Sequence, residues 1–533
     1  MRLSDDQYSR LIHFLEQPDS YSHQPEQVKH LQTHISHVFI ADPYVYKIKK
    51  TVDLEFLDYS TLQKRKKFCQ REVELNRRLT DDIYLGVVPI TLHDNQFGLE
   101  EGEHSTVVEY AVKMNRLPEE YFLHSLIQNE SLTTTHLDRV VDKLASFYGE
   151  QDPSPEVLEY GAVEKIKYNT DENFRQTKPF SDEIIDRASY NAIKAYTNGY
   201  FEQNTGLFKH RIEEKRIVDG HGDLHLDHIH ITPQKVQIYD CIEFNERFRY
   251  GDLAVDLAFL AMDLDFNGRW KEERYFVEQM AAKLGDADLH RMINFYKCYR
   301  AYVKGKVKSL QSTEQEVAKE DRKQAEETAR RYFDLSLRYA TLGSKPMACI
   351  FMGRIGSGKS TLAGNLAEKM SIDYYSSDYV RKSMAGLPIY ERTPASEREE
   401  LYSPEMSDKT YEELHNRALQ KLNQGESVIL DATFSNQEGR QEWMKLLEAQ
   451  QFEYLFVETE ASDETIKERL KQRDNGSEIV SDARLEDFEE LDQNYQPPIE
   501  IHPSNHIRVN TEQPVNNTLQ ELYLKLVERR LEQ

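Results

Sequence analysis

Cysteine is scarce in this chain. Cys69, Cys241, Cys298 and Cys349 are the four among 533 residues, they lie far apart, and no two form a CxxC pair. That usage argues against a disulfide framework or a zinc ribbon and fits buried thiols in a reducing cytosol. Long apolar runs are missing too; none approaches the roughly 18–20 residues that a membrane span needs. The first residues, MRLSDDQYSRLIHFLEQ, carry acids early and no uninterrupted apolar stretch, so no signal peptide is expected. Positive charge is in deficit: 68 Lys and Arg stand against 93 Asp and Glu, a formal net charge of −25. A field of that sign repels long nucleic acids and anionic membranes, yet permits a local basic pocket for a small phosphorylated ligand. Internal repeats and low-complexity tracts are also absent. What remains is a globular composition, 39% hydrophobic and 30% charged. At roughly 100–200 residues per domain, the length allows about two to four domains, each with its own core.

The pattern of the chain divides it. β-type runs His37–Ala41 and Tyr44–Lys49 flank an Asp42-Pro43 turn, and Phe68, Glu72, Leu75 and Leu79 set a helix over Leu62–Leu79. Two more strands are expected in LGVVPITLH and HSTVVEYAVKM. From Pro118 to about Leu342 helix dominates, broken by one β-type hairpin over His228–Phe244. The Glu-, Lys-, Arg- and Ala-rich segment Ser312–Tyr339 reads as a solvated helix closing a first domain, residues 1–342. Residues 343–346, Gly-Ser-Lys-Pro, read as a linker, and 347–533 as the second domain. There the apolar strand Ala348–Met352 opens an alternation of helix and strand signals, the mark of a parallel α/β sheet.

Gly353-Arg-Ile-Gly356-Ser357-Gly358-Lys359-Ser360 matches GxxxxGK[ST] between that strand and an amphipathic helix, Thr361–Lys369. Glycines in this pattern let backbone N–H groups wrap phosphates, and the helix start adds positive potential. Lys359 is expected to reach the β- and γ-phosphates of ATP, and Ser360 to ligate Mg²⁺; Thr361 begins the helix beside them. The strand Ser427–Asp431 ends in a carboxylate suited to the same Mg²⁺. Asp378, just after a strand, is placed to take a proton from a hydroxyl acceptor, with Arg381 one turn on to hold an anionic group. The bland alternative is an N-capping aspartate and a surface arginine. Arg469 and Arg473, one turn apart, can close on a triphosphate or simply line a solvated helix.

In the first domain Gly220-His221-Gly222-Asp223-Leu224-His225 precedes the hairpin, and Asp240, seventeen residues past Asp223, stands at the strand's end within Ile238–Glu243. A loop aspartate beside the acceptor and a second aspartate for metal are what phosphoryl transfer in a protein-kinase-like fold requires. An early-strand lysine and a helix glutamate complete the set: Lys47 and Glu72 fit, with Lys49 a rival on the same strand face. His221, His225, His228 and His230 within ten residues also admit a zinc cluster. Against that, alternate residues of the β-type part face opposite sides. A basic aromatic helix, Phe295–Leu310 with Lys297, Arg300, Lys304 and Lys308, either lines the first domain's cleft or forms a solvated cationic face.

These residues carry two resemblances. GRIGSGKS, SSDYVR, VILDATF and ERLKQR, in that order over about 346–533, resemble the P-loop kinases that include zeta toxins, polynucleotide 5′-kinases and gluconate-type kinases. The resemblance implies Asp378 as general base and Arg381 as a substrate contact. HGDLH, the Ile238-Tyr-Asp240 strand end and Gly251-Asp252…Asp256-Leu-Ala, over about 30–310, resemble the aminoglycoside phosphotransferase-like family of small-molecule kinases. That implies Asp223 as catalytic, with Asp252 and Asp256 holding the loop. The family usually has Asn five residues after the catalytic Asp as a metal ligand; here it is His228. An imidazole suits Mn²⁺ or Zn²⁺ better than Mg²⁺, so either the metal differs, or a metal site is weakened, or transfer is poor.

The expectation is a cytosolic, ATP-dependent, bifunctional phosphotransferase: an α+β protein-kinase-like domain, then an α/β P-loop domain, each acting on a small-molecule hydroxyl. Two rivals stand beside it. In one, the first domain is a ligand-binding pseudokinase that regulates the second. In the other, the second domain is a toxin-like kinase of nucleotide-sugar or nucleic-acid ends.

Overall fold

The computed structural model describes residues 3–99, 105–314, 317–473 and 480–532. His104 of the fourth expected strand, 315–316 of the charged segment and Asp474-Asn475 lie outside the described residues. The chain forms two compact units: Met1–Ile166 with Gly206–Ile293, and Lys167–Thr205 with Asn294–Gln533.

In the first unit an antiparallel sheet is built from β1 (Lys29–Gln32), β2 (Ser36–Ala41), β3 (Tyr44–Lys49), β4 (Tyr84–His93), β5 (Gln96–Gly98) and β6 (Thr106–Asn115). Its order is β1-β2-β3-β6-β4-β5. One face buries Phe39, Tyr46, Ile48, Ile90 and Val108 against Leu11 and Leu15. The helix Leu62–Asn76 covers the other face, with Cys69 and Val73 packed on Val112 and Met114. Below the sheet come two short antiparallel ladders: β7 (Ile217–Asp219) with β10 (Tyr250–Asp252), and β8 (Ile229–Ile231) with β9 (Val236–Ile238). The hairpin is shorter than expected, because the chain leaves the ladder after Ile238 to place Asp240 at φ +63°. The helix Leu253–Phe266 is buried on all sides and carries Asp256 and Asp263 inward. A small antiparallel sheet with one covering helix, followed by a helical half, is the protein-kinase-like fold.

The second unit holds five parallel strands, β11 (Met347–Met352), β12 (Asp373–Ser376), β13 (Val428–Asp431), β14 (Glu453–Glu460) and β15 (His506–Asn510), in the order β12-β13-β11-β14-β15. Every residue of β11 is buried, as a central strand covered on both faces must be.

The units do not divide at 343–346. Lys167–Thr205 and the helices after Asn294 group with the P-loop half. Tyr200 stacks on Phe295 with centroids 4.5 Å apart, and Lys369 Nζ lies 2.7 Å from Asp186 and 2.6 Å from Asp334. The segment expected as a solvated cap is the helix Lys319–Thr341, whose Ala325, Ala329, Tyr332, Phe333, Ser336 and Ala340 form a buried stripe. Its charged residues hide an apolar repeat at helical spacing. The basic helix groups from Asn294 on with the P-loop half and is not wholly solvated. Lys297 is buried, sits 4.7 Å over the Tyr339 ring and donates to Ser344 Oγ at 2.7 Å.

Among the described residues, no helix is long and apolar enough to cross a membrane.

Candidate active sites

Side chains alternate along a strand, so with Tyr46 and Ile48 in the apolar cluster, Lys47 and Lys49 face the covering helix. Glu72, on that helix and fully buried, divides its carboxylate between them. Its Oε1 is 3.0 Å from Lys47 Nζ and its Oε2 is 2.7 Å from Lys49 Nζ. The two lysines then part. Lys47 reaches Asp240 Oδ1 at 2.6 Å. Lys49, 1% exposed, turns inward to Glu243, whose Oε1 also accepts from Tyr59 Oη at 2.5 Å. Lys47 is thus the cation beside the metal-binding candidate, and Lys49 belongs to an interior ion-pair network. Burial pushes the Lys47 ammonium down, but Asp240 and Glu72 outweigh it and hold it well above the usual lysine value. For Glu72 and Asp240 burial pushes up, and Lys47 beside them holds both carboxyls low.

The loop carrying Asp223 is fixed from below. Asp256 accepts from the backbone N–H of Gly222 at 2.8 Å and from that of His221; Asp263 accepts from Leu226 N at 3.0 Å. Gly220 passes so close that a Cβ there would lie 2.2 Å from Asp256 Oδ2. Asp252 takes both arms of Arg211, at 2.8 and 2.7 Å, and caps its helix. Asp252 and Asp256 therefore act on the scaffold. Three of the four histidines bond carbonyl oxygens: His221 Nε2 to Tyr239 O at 2.9 Å, His230 Nε2 to Pro118 O at 3.1 Å and His228 Nδ1 to Asp223 O at 2.9 Å. The rings of His225 and His228 lie 3.9 Å apart beside Asp223. His228 Nε2 is 3.5 Å from Asp240 Oδ2, and burial lowers its pKa, which keeps the ring neutral.

In the second unit the loop Gly353–Gly358 links β11 to the helix Lys359–Met370. Gly353 stands at φ +139°, and a Cβ there would lie 2.6 Å from Thr459 O, so only glycine fits. Ser357 turns its hydroxyl inward to Thr459 Oγ1 at 2.7 Å, leaving the backbone to face a ligand. Lys359 Nζ donates to the carbonyls of Gly353 at 3.1 Å and Arg354 at 2.9 Å. Burial lowers its pKa, and Asp431 opposes that. Asp431, at the end of β13, accepts from Tyr374 Oη at 2.8 Å, and the Ser360 hydroxyl bonds it as well. Asp378 is not the N-cap of its helix; Ser376 fills that role. Its Oδ1 instead lies 3.3 Å from Arg381 Nη1 and 3.4 Å from Tyr402 Oη, and Arg381 sits 4.7 Å over the Tyr402 ring. Arg473 feels both Asp378 and Asp431. Arg469 is placed differently: its Nη1 bonds Thr511 Oγ1 at 3.0 Å and the Gly356 carbonyl at 3.4 Å, tying Thr511 to the loop. A cavity of about 450 Å³ opens above, lined by Gly358, Thr361, Arg469, Arg473 and Thr511 among others. Sequence reasoning missed Tyr374 and Tyr402, which no motif marks.

The sequence profile of an AAA domain matches residues 349–498. The protein Rv2004c of Mycobacterium tuberculosis is 30% identical over 409 residues, spanning 77% of this chain and 79% of the relative. The chain belongs to the family of that mycobacterial protein. Its relative in that family from Mycobacterium bovis, Mb2027c, is also 30% identical over the same span. Among solved structures, a choline kinase from Cryptosporidium parvum covers 63% of this chain and 95% of its own, at 12% identity and TM-score 0.39. A gluconokinase from Sinorhizobium meliloti covers 35% and 94%, at 19% identity and TM-score 0.26. The fold itself rests on the strand orders and ion pairs above.

Proposed function

We propose that this chain is a cytosolic ATP-dependent phosphotransferase with two transfer sites, one per unit, each directed at the hydroxyl of a small molecule. One observation carries the reading. In each unit a lysine, a carboxylate suited to a divalent cation and a second carboxylate suited to an acceptor converge: Lys47, Asp240 and Asp223; Lys359, Asp431 and Asp378.

The donor sets fit a divalent cation. In the second unit Ser360 and Asp431 offer hard oxygens, which suit Mg²⁺. In the first, Asp240 offers oxygen and His228 nitrogen, a set that tolerates Mn²⁺. When bound, such a cation neutralises phosphate charge. The rest is the work of the chain. Lys47 and Lys359 orient the triphosphate. Asp223 and Asp378 accept the proton of the attacking hydroxyl. Arg473 offsets the charge that develops on the transferring group. Arg381 holds the acceptor beside Asp378, and the net negative charge of the chain disfavours long nucleic acids as acceptors.

The test is a screen of ATP-dependent transfer to a metabolite library with the full chain, Asp223→Ala and Asp378→Ala. Each substitution should abolish a separate set of products and leave nucleotide binding in place. If neither changes any product, the reading fails. If only Asp378→Ala does, the first unit is a nucleotide-binding regulator.

A further inference from the structure

We propose that Asp223, His225 and His228 form a site for a transition-metal dication of the Zn²⁺ and Co²⁺ class, chosen over Mg²⁺. One potential ligand atom from each lies within 4.8 Å of the other two. His225 Nε2 is 3.4 Å from Asp223 Oδ2, close to the roughly 3.3 Å that separates two ligands of a tetrahedral zinc with bonds near 2.0–2.1 Å.

Both rings are fixed by hydrogen bonds, that of His228 in the manner of a metal ligand. A ligating histidine turns its second nitrogen to a carboxylate or carbonyl, which fixes ring and tautomer. Behind His225, Nδ1 accepts the Asp227 backbone N–H at 3.4 Å, which fixes the ring; a cation on Nε2 turns that nitrogen into a donor, with Asp227 Oδ2 at 3.5 Å and Asp263 Oδ2 at 4.0 Å beside it. Behind His228, Nδ1 lies 2.9 Å from the Asp223 carbonyl oxygen, which calls for the Nδ1–H tautomer. Its Nε2 lone pair then faces the Asp240 carboxylate at 3.5 Å. A lone pair opposite a carboxylate repels it, and a cation between or beside them removes the conflict. His225 is itself built into the core, 7% exposed and stacked on Phe259 with centroids 5.7 Å apart. His221 and His230, each bonded to a carbonyl, lie outside the cluster. Two imidazoles and one carboxylate form a borderline-soft set that Zn²⁺ or Co²⁺ fills better than Mg²⁺ does.

The consequence for activity rests on the transfer reading above; the binding does not. A metal on Asp223 occupies the carboxylate that would accept the acceptor's proton, so Zn²⁺ should inhibit transfer by the first unit while Mg²⁺ supports it.

The test uses the full chain, stripped of metal and free of nucleotide, equilibrated with Co²⁺ in large Mg²⁺ excess and desalted. We expect one cobalt per chain, a visible absorption band of a four-coordinate ion, and a Zn²⁺-dependent rise in Tm. His225→Asn and His228→Asn should each lower retained cobalt at least about tenfold and remove the Tm rise, while His221→Gln keeps both. X-ray absorption of the zinc-loaded wild-type chain, which needs no variant to fold, should show two imidazoles bound to the ion. Retention unchanged in both asparagine variants, a zinc shell without imidazole, or no cobalt held against Mg²⁺ would overturn the proposal. None of these readouts involves transfer, so their failure leaves the phosphotransferase reading standing. The transfer screen, run with Mg²⁺ alone, judges that reading separately.

Discussion

In the P-loop unit Lys359 rests on two carbonyl oxygens, whereas in the first unit Lys47 rests on two carboxylates. A phosphate arriving at Lys359 meets a cation with no ion pair to break among the described residues, in a buried setting that already disfavours its charge. A phosphate arriving at Lys47 must compete with Asp240 unless a divalent cation takes Asp240 first. Nucleotide capture by the first unit is therefore expected to depend on metal more than capture by the second. Glu72 remains in either case, which keeps Lys47 aimed while Asp240 changes partner.

The largest effects test whether both units act at all. Asp223→Ala and Asp378→Ala should each slow transfer in their own unit by about 10²–10⁴-fold, the usual contribution of a positioned acid–base group. Steady-state rates on the acceptors found by the screen check this. Equal loss on every acceptor from one substitution would collapse the comparison to a single site.

Next in size is the separation of Lys47 from Lys49. Lys49→Met leaves Glu243 buried without its cation and should cost about 3–5 kcal/mol of unfolding free energy. Lys47→Met should cost less stability and more nucleotide affinity, because its ammonium is partly exposed and faces the site. Urea unfolding beside nucleotide titration of the two variants separates the roles; matching profiles would deny them. Lys359→Ala should weaken nucleotide binding by the second unit about 10–100-fold, as expected for losing a charged hydrogen bond of about 1.5–3 kcal/mol. Isothermal titration in EDTA reads it, since that site is the one expected to bind without metal.

Much of this was legible in the chain. The P-loop and β11 follow from a local pattern of an apolar strand, a glycine turn and an amphipathic helix, and Asp431 from the apolar strand that it ends. Lys47 and Lys49 share strand parity, so sequence could place them on one face but could not say which meets Asp240; the turn of the chain after Ile238 decides that. Tyr402 reaches Asp378 from a segment with no periodic signal, and Tyr374 reaches Asp431 from the neighbouring strand β12. Such contacts come from tertiary geometry alone. The grouping of Lys167–Thr205 with the P-loop half was hidden for the same reason. It shows in Asp186 and Asp334 meeting Lys369, residues well over a hundred positions apart at the extremes. His225 reads as part of a loop motif until the fold turns its ring against His228.

The smallest effect concerns acid, and it has opposite signs in the two units. Burial lowers the His221 pKa from 6.5 to about 4 in the folded chain. The neutral ring is the one the fold accepts, so its contribution is whole above pH 6.5 and is lost as pH falls towards 4. Between pH 7.5 and 5.5 that amounts to about 1 kcal/mol of stability. In the second unit burial raises the Asp431 carboxyl, so its penalty is present at neutral pH and eases as pH drops towards the raised value. Denaturant unfolding of wild type and His221→Gln at pH 7.5 and 5.5 should show the wild type losing about 1 kcal/mol more than the variant on acidification. Asp431→Asn, an uncharged isostere, should lose more on acidification than wild type, because the easing is gone. If His221→Gln and wild type fall in parallel, His221 is not the group that makes the first unit acid-sensitive. The burden would then pass to His37, also buried and lowered to about 4.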